Sequence, residues 1–173
     1  GFRTAAPAMV TPAVDGGTVT PIMTVGDTLP GGYRFEAIPD GISLLPIGRR
    51  LGLAFVNHET STVPFPFNAA APTITNSQND FDNAQMSRLV LTAKARVLAG
   101  RMVIPSAANF QRFCSNFLAS AREGFSRPIV FTNEDMPQHL HLVHADGTGY
   151  RQLTTGDERN RQGAFSPQGD WIA

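Results

Sequence analysis

The sequence predicts an all-β protein, because short apolar runs alternate with turn-forming residues over most of its 173 residues. Its 16 glycines and 13 prolines fall between these runs, a pattern that is typical of many short strands. Consecutive runs separated by brief turns indicate antiparallel meanders, the repeating unit of a propeller blade. At about forty residues per blade, we expect a β-propeller or partial propeller of about three to four blades.

The first part of the chain is predicted to form an arm followed by a meander. Residues 1–18 are small, apolar and interrupted by proline, which indicates an extended N-terminal arm. Pro39-Asp40-Gly41 is a strong turn signal, because proline fixes φ and glycine accepts positive φ. Strand candidates in this part of the chain are 18–25, 33–38, 42–47 and 51–56.

The middle of the chain is predicted to contain a long loop and a hairpin. Residues 61–79 carry three prolines with phenylalanines beside two of them, which favours a loop packed on the molecule over a disordered one. Two strands follow, at 87–92 and 96–104, and they are predicted to pair around a turn at 92–95.

A change of period predicts one short helix near residues 109–121. Its apolar residues recur at the spacing of one helical face. This face consists of Phe110, Phe113, Cys114, Phe117 and Leu118. Cys114 is the only cysteine, so an internal disulfide is excluded. Taken alone, it is either a small buried apolar residue or a reactive or metal-binding thiol.

The last part of the chain returns to strands. Strands are predicted at 128–132, 139–143 and 150–154, the last two joined by a tight turn at 146–149. Residues 164–173 begin a further strand that the sequence does not finish, so the last repeat is expected to be truncated.

Two apolar runs lead directly into polar side chains. The first ends in Asn57-His58-Glu59 and the second in Asn133-Glu134-Asp135. A strand end can present ligands to water or to a channel without desolvating them, so these two ends are candidate functional sites. The alternative is that each residue is a satisfied polar group at the end of a strand.

Asp80 and Asp82 form a third candidate. Carboxylates two residues apart share one face of a strand, or can chelate a hard cation such as calcium in a loop. From the spacing alone, a solvated turn with capping aspartates is the competing interpretation.

Charge and hydropathy exclude some functions. Lys+Arg and Asp+Glu both number 14, so the net charge is zero and nothing favours nucleic acid or an anionic membrane as a partner. No apolar run approaches the ~20 residues that a membrane span requires. The small, apolar N-terminal residues are compatible with the start of a mature exported chain, and equally with a tag scar or an internal fragment. The first interpretation predicts a secreted, periplasmic or cell-surface protein.

Residues 138–173 resemble one repeat of the TolB-type propeller family, also called the PD40 or WD-like repeat. The resemblance implies a four-stranded blade and says little about chemistry. Where the family has Ser-Pro-Asp-Gly, this chain has Ser-Pro-Gln-Gly at 166–169. The matching segments are His-Ala-Asp-Gly-Thr-Gly at 144–149, Arg-Gln-Leu-Thr at 151–154 and the run at 164–173.

Residues from about 19 to 135 resemble secreted propellers of the PhoX-type alkaline phosphatase superfamily. The resemblance divides the chain into the arm at 1–18, PhoX-like blades at 19–137 and the TolB-like repeat at 138–173. The matching motifs are Asp40-Gly41-Ile42, Val56-Asn57-His58-Glu59, Asp80-Phe81-Asp82-Asn83, Arg112-Phe113-Cys114 and Phe131-Thr132-Asn133-Glu134-Asp135.

In that family, carboxylates and a cysteine hold iron and calcium where a phosphate ester is hydrolysed. The resemblance therefore implies calcium and/or iron as cofactors and Glu59, Glu134, Asp135 and Cys114 as metal ligands. Asp135 replaces the second glutamate of the family's pair and reaches less far. His58 is the candidate catalytic residue, as a phosphate contact or as a group that orients a carboxylate.

The expected function is a secreted, metal-dependent phosphoesterase-like propeller that hydrolyses phosphate monoesters, with its catalytic set either complete or incomplete in this chain. The alternative is a non-catalytic scaffold or binding module that completes its sheet with another chain or with a second copy. A third interpretation is a surface protein stabilised by calcium at Asp80 and Asp82.

Overall fold

The fold is described by a computed structural model over residues 1–36, 38–59, 84–110, 112–134 and 139–155. Across these ranges, eight strands form two four-stranded antiparallel sheets, ordered β1-β2-β3-β4 and β5-β6-β7-β8. The all-β prediction is confirmed. The strands are β1 (Pro39–Ile47), β2 (Leu51–His58), β3 (Gln85–Thr92), β4 (Val97–Ile104), β5 (Phe113–Ala119), β6 (Ile129–Glu134), β7 (Leu140–His144) and β8 (Arg151–Gln152).

Each sheet is a meander in which sequence neighbours pair. The predicted hairpin at 92–95 is present, and the amide of Ala95 donates to the carbonyl of Thr92 at 2.9 Å. The turn predicted at 146–149 is closed by a 2.7 Å hydrogen bond from the Gly147 amide to the His144 carbonyl. The described ranges contain two open sheets and no closed ring of blades, so the propeller architecture stays a prediction.

The helix predicted near residues 109–121 is wrong, because β5 occupies this segment. Between Phe113 and Asn116, the register of β5 against β6 shifts by one residue, as in a β-bulge. The extra residue breaks the two-residue alternation and gives the apolar residues a helix-like spacing. Phe113 is fully buried, whereas Phe117 is 44% exposed. Two single-turn 3-10 helices flank the strand, at Ser106–Ala108 and Ala121–Glu123.

The turn predicted at Pro39-Asp40-Gly41 is also wrong, because these residues begin β1. A Cβ atom on Gly41 would lie 2.6 Å from the carbonyl oxygen of Cys114. Gly41 is therefore required by the close approach of β1 to β5, not by a reversal of the chain.

The largest buried cluster lies between the two sheets, because it takes residues from both. Its members are Leu53, Phe55, Ala84, Met86, Ile104, Phe110, Phe113, Val130, Val143 and Ala145. A second cluster covers the opposite face of the first sheet, where Ala54, Val56 and Leu89 pack with Leu29 and Phe35.

The N-terminal residues contribute packing and not strands. Residues 18–25 form no strand, and the described part of 33–38 has only an isolated bridge from Arg34 to Thr28, so these two strand predictions are wrong. Phe2 pairs with Val97 along the free edge of β4, which reduces the edge left open to another chain. Over the described ranges, no helix has the length and apolar character needed to cross a membrane.

Candidate metal centre

The alternation of β2 divides the Asn57-His58-Glu59 stretch between two faces. Leu53 and Phe55 point into the core between the sheets, and Asn57 follows them two residues later. His58 shares the opposite face with Ala54 and Val56. Strand geometry therefore separates His58 from its two neighbours in sequence.

Asn57 joins the two sheets. Its side chain is fully buried, and its Nδ2 atom donates to the carbonyl of Ser115 and to Oγ1 of Thr132, both at 3.0 Å. The Oγ1 of Thr132 in turn donates to the same Ser115 carbonyl at 2.9 Å. A buried amide with this many partners fixes the position of β5 against β2.

His58 lies in a buried hydrogen-bond chain. Its Nε2 is 2.7 Å from Oγ of Ser87, which is 2.6 Å from the phenol oxygen of Tyr33. The ring is 2% exposed, and Phe35 packs against it edge-on with the ring centres 5.1 Å apart. The predicted catalytic residue therefore faces away from Glu59, into a polar network of the core.

This network gives a pH prediction for Tyr33. Burial raises the pKa of Tyr33 to about 12, against an ordinary 10.0. Between pH 10 and 12, the folded state therefore keeps a proton that the unfolded state loses. The contribution of Tyr33 to stability is complete below pH 10 and is lost as the pH rises towards 12. The chain has two tyrosines, so Tyr150→Phe leaves Tyr33 as the only phenol. Absorbance titration of that variant should show a midpoint near pH 12, and a midpoint near 10 would contradict the burial of Tyr33.

Glu59, Cys114 and Asp40 form a first group whose ligand atoms all lie within 4.8 Å of one another. The Sγ of Cys114 donates to Oε1 of Glu59. The backbone of Glu59 is fixed by a 3.1 Å hydrogen bond from its amide to the carbonyl of Ile38. Glu59 and Cys114, both proposed as ligands from the sequence, are 55 positions apart in the chain and lie together in the structure. Asp40 is a third member of the group that the sequence did not indicate as a ligand.

Irregular pairing in β1 and in β5 brings the members of this group together. Asp40 lies where β1 slips by one residue against β2, and Cys114 lies where β5 slips against β6. A bulge of this kind re-aims side chains that regular alternation would direct elsewhere. Gly41 allows the two irregular segments to touch.

Arg112 supplies a positive charge at the rim of the first group. Its guanidinium lies 3.4 Å from Oε2 of Glu59. The arginine side chain is 48% exposed and the glutamate 10%, so one end of the pair faces solvent. An exposed pair of this kind adds little stability, and the guanidinium remains accessible to an anion.

The donor set of the first group favours a transition metal. Two carboxylates suit a hard cation, but a thiolate is a soft ligand that favours iron or zinc over calcium. Calcium usually takes six to eight oxygen ligands, and among the described residues this group offers carboxylate oxygen from two residues only. Iron is therefore the cation of the two implied cofactors that fits these residues better.

Glu134 belongs to a second group, with His139 and His141. The Oε2 of Glu134 lies 3.4 Å from Nε2 of His141 and 3.8 Å from Nδ1 of His139. Burial, with His139 nearby, lowers the pKa of His141 to about 4, so its ring is neutral at pH 7 and the contact with Glu134 is not an ion pair. The two glutamates that the resemblance implies as metal ligands thus fall into different groups.

The remaining predicted ligands, Asp80, Asp82 and Asp135, lie outside the described residues. Sequence reasoning missed two of the clustered histidines, although His139-Leu140-His141 alternates and places both rings on one face of a strand. It also missed Asp40, which had been assigned to a turn.

Searches against protein-family models, curated proteins and solved structures found no match to this chain.

Proposed function

We propose that this chain is a secreted, metal-dependent phosphoesterase-like protein whose metal is held by Asp40, Glu59 and Cys114. The observation that carries the proposal is their convergence. Each comes from a different motif of the phosphatase resemblance, and their ligand atoms lie within 4.8 Å of one another. Pairing of β1 with β2 already brings Asp40 near Glu59, so the informative member is Cys114, which reaches them from the second sheet.

The residues around the group suit a phosphate ester. A cation bound there would polarise a phosphoryl oxygen and lower the pKa of a bound water. Arg112, beside Glu59 and half exposed, can bind a phosphate oxygen through charge-assisted hydrogen bonds. Asp40 is exposed, so the group opens to solvent on one side.

The proposal includes a propeller architecture. Two successive four-stranded meanders are the pattern expected of neighbouring blades. Their first strands, β1 and β5, touch at Gly41, as the inner strands of adjacent blades would.

The test uses protein stripped by a chelator and reloaded with iron, calcium or both. Hydrolysis of p-nitrophenyl phosphate should be absent from the stripped protein and return with iron. Arg112→Ala should raise KM, whereas Arg122→Ala, which removes a guanidinium in the 3-10 helix after β5, should leave it unchanged. Iron-loaded protein with no hydrolysis above the stripped form would contradict the proposal.

A second candidate function is a non-catalytic assembly module, favoured by the exposed face of β1. Ile42 and Leu44 lie on this face of the edge strand and are 60% and 61% exposed. Large apolar side chains on an edge are typical of a surface that another chain covers. Light scattering would detect concentration-dependent association that Ile42→Glu abolishes, and a monomer at every concentration would contradict this candidate.

A further inference from the structure

Glu134, His139 and His141 are positioned as ligands of one cation. In a tetrahedral zinc site with bonds of about 2.1 Å, two ligand atoms lie roughly 3.4 Å apart. Oε2 of Glu134 is 3.4 Å from Nε2 of His141 and 3.8 Å from Nδ1 of His139. All three ligand atoms lie within 4.8 Å of one another, close enough to ligate one small divalent ion.

The Nε2 atom of His141 is the observation that singles out this group. The ring is fully buried, yet this nitrogen makes no hydrogen bond within the described residues. It points towards the Glu134 carboxylate. A buried polar atom without a hydrogen bond costs about 1–3 kcal/mol, and a bound cation would remove that cost.

Tyr150 holds the ring of His141 in the orientation that a metal requires. Its phenol oxygen lies 2.7 Å from Nδ1, and the two rings stack with centres 5.8 Å apart. With the ring proton on Nδ1 and the phenol oxygen accepting it, the lone pair of Nε2 faces Glu134. A metal-binding histidine is usually oriented by a hydrogen bond at its other nitrogen in this manner.

Among the described residues, aromatic rings pack against the His141 side of the group. Phe110 packs against the His141 ring with centres 4.7 Å apart, and Phe113 with centres 6.0 Å apart. The Glu134 side chain is 5% exposed and that of His139 is 14% exposed. Water therefore competes weakly for a cation at this position, and His139 is the ligand nearest to solvent.

We propose that Glu134, His139 and His141 form a second metal site, which takes a borderline divalent cation such as zinc and in which Tyr150 is a positioning residue. Imidazole nitrogens select zinc or iron over calcium. The second metal site contains no residue of the first group and does not depend on the phosphoesterase activity. It lies at one end of the core between the sheets, so an ion there would link β6 to β7.

The test is Co2+ uptake by the purified protein, followed by its visible absorption and by elemental analysis. His139→Gln should lose one equivalent of Co2+ relative to the unmodified protein. The matched control is His144→Gln, which removes a histidine of β7 outside the group and should keep the full amount. His139 is partly exposed, so its variant is expected to fold, and circular dichroism checks this.

Two further variants complete the test. One shows that the second metal site is independent of the first group, and the other tests whether Tyr150 orients His141. Cys114→Ser should keep the imidazole-bound Co2+, even if the phosphoesterase proposal fails. Tyr150→Phe should keep the stoichiometry and weaken Co2+ binding by about ten- to a hundredfold. Equal Co2+ uptake by the unmodified and His139→Gln proteins, or no uptake by either, would overturn the second metal site.

Discussion

Replacing Phe113 with alanine should lower the free energy of unfolding by about 3–5 kcal/mol. The ring is fully buried between the two sheets and contacts Phe110 and His141. Removing it leaves a cavity that two paired strands cannot easily close. Denaturation by urea, followed by circular dichroism, measures the loss.

The matched control is Phe117→Ala in the same strand. Phe117 is 44% exposed, so its removal loses only part of the burial that Phe113 provides and should lower the free energy of unfolding by about 1 kcal/mol. A helix over 109–121 would place both rings on one buried face and make the two losses similar. Equal losses would therefore contradict the strand and its bulge.

Glu59→Gln should reduce phosphoesterase activity by at least about a hundredfold. Changing a residue that merely orients a metal ligand already costs ten- to a hundredfold in affinity or activity, and loss of a ligand should cost at least as much. The amide has the shape of the carboxylate but lacks the negative charge that binds a cation. The measurement is kcat/KM for p-nitrophenyl phosphate together with the iron content of the same sample.

The control for this variant is Asp15→Asn, which neutralises an exposed carboxylate outside both groups. It should keep both the activity and the iron. Full activity of Glu59→Gln at full iron occupancy would remove Glu59 from the site, whereas joint loss of iron and activity is the expected result.

Strand order was largely predictable from the sequence, because turn residues and apolar runs alternate regularly. The second to fourth strands and the hairpin at 92–95 follow directly from that pattern. Irregular strands were not predictable. One extra residue after Phe113 gave β5 the spacing of a helix, and Pro39-Asp40-Gly41 gave the start of β1 the composition of a turn.

The candidate site was predictable in part for the same reason. Glu59 and Cys114 were proposed as ligands through a family resemblance, and the two bulges that bring Cys114 and Asp40 to Glu59 have no signature in the sequence. The side of β2 on which His58 lies was predictable, because successive side chains of a strand point to opposite faces and His58 directly follows Asn57. The histidine partners of Glu134 were also predictable, because His139 and His141 are two residues apart and therefore share one face of an extended segment.

X-ray absorption at the iron edge tests the first metal group most directly. Iron-loaded protein should show a sulfur neighbour at about 2.3 Å, typical of a metal–thiolate bond, together with oxygen neighbours. The sulfur neighbour should disappear in Cys114→Ser, since Cys114 is the only cysteine. An iron spectrum without sulfur, or one that Cys114→Ser leaves unchanged, would contradict a metal centre at Asp40, Glu59 and Cys114.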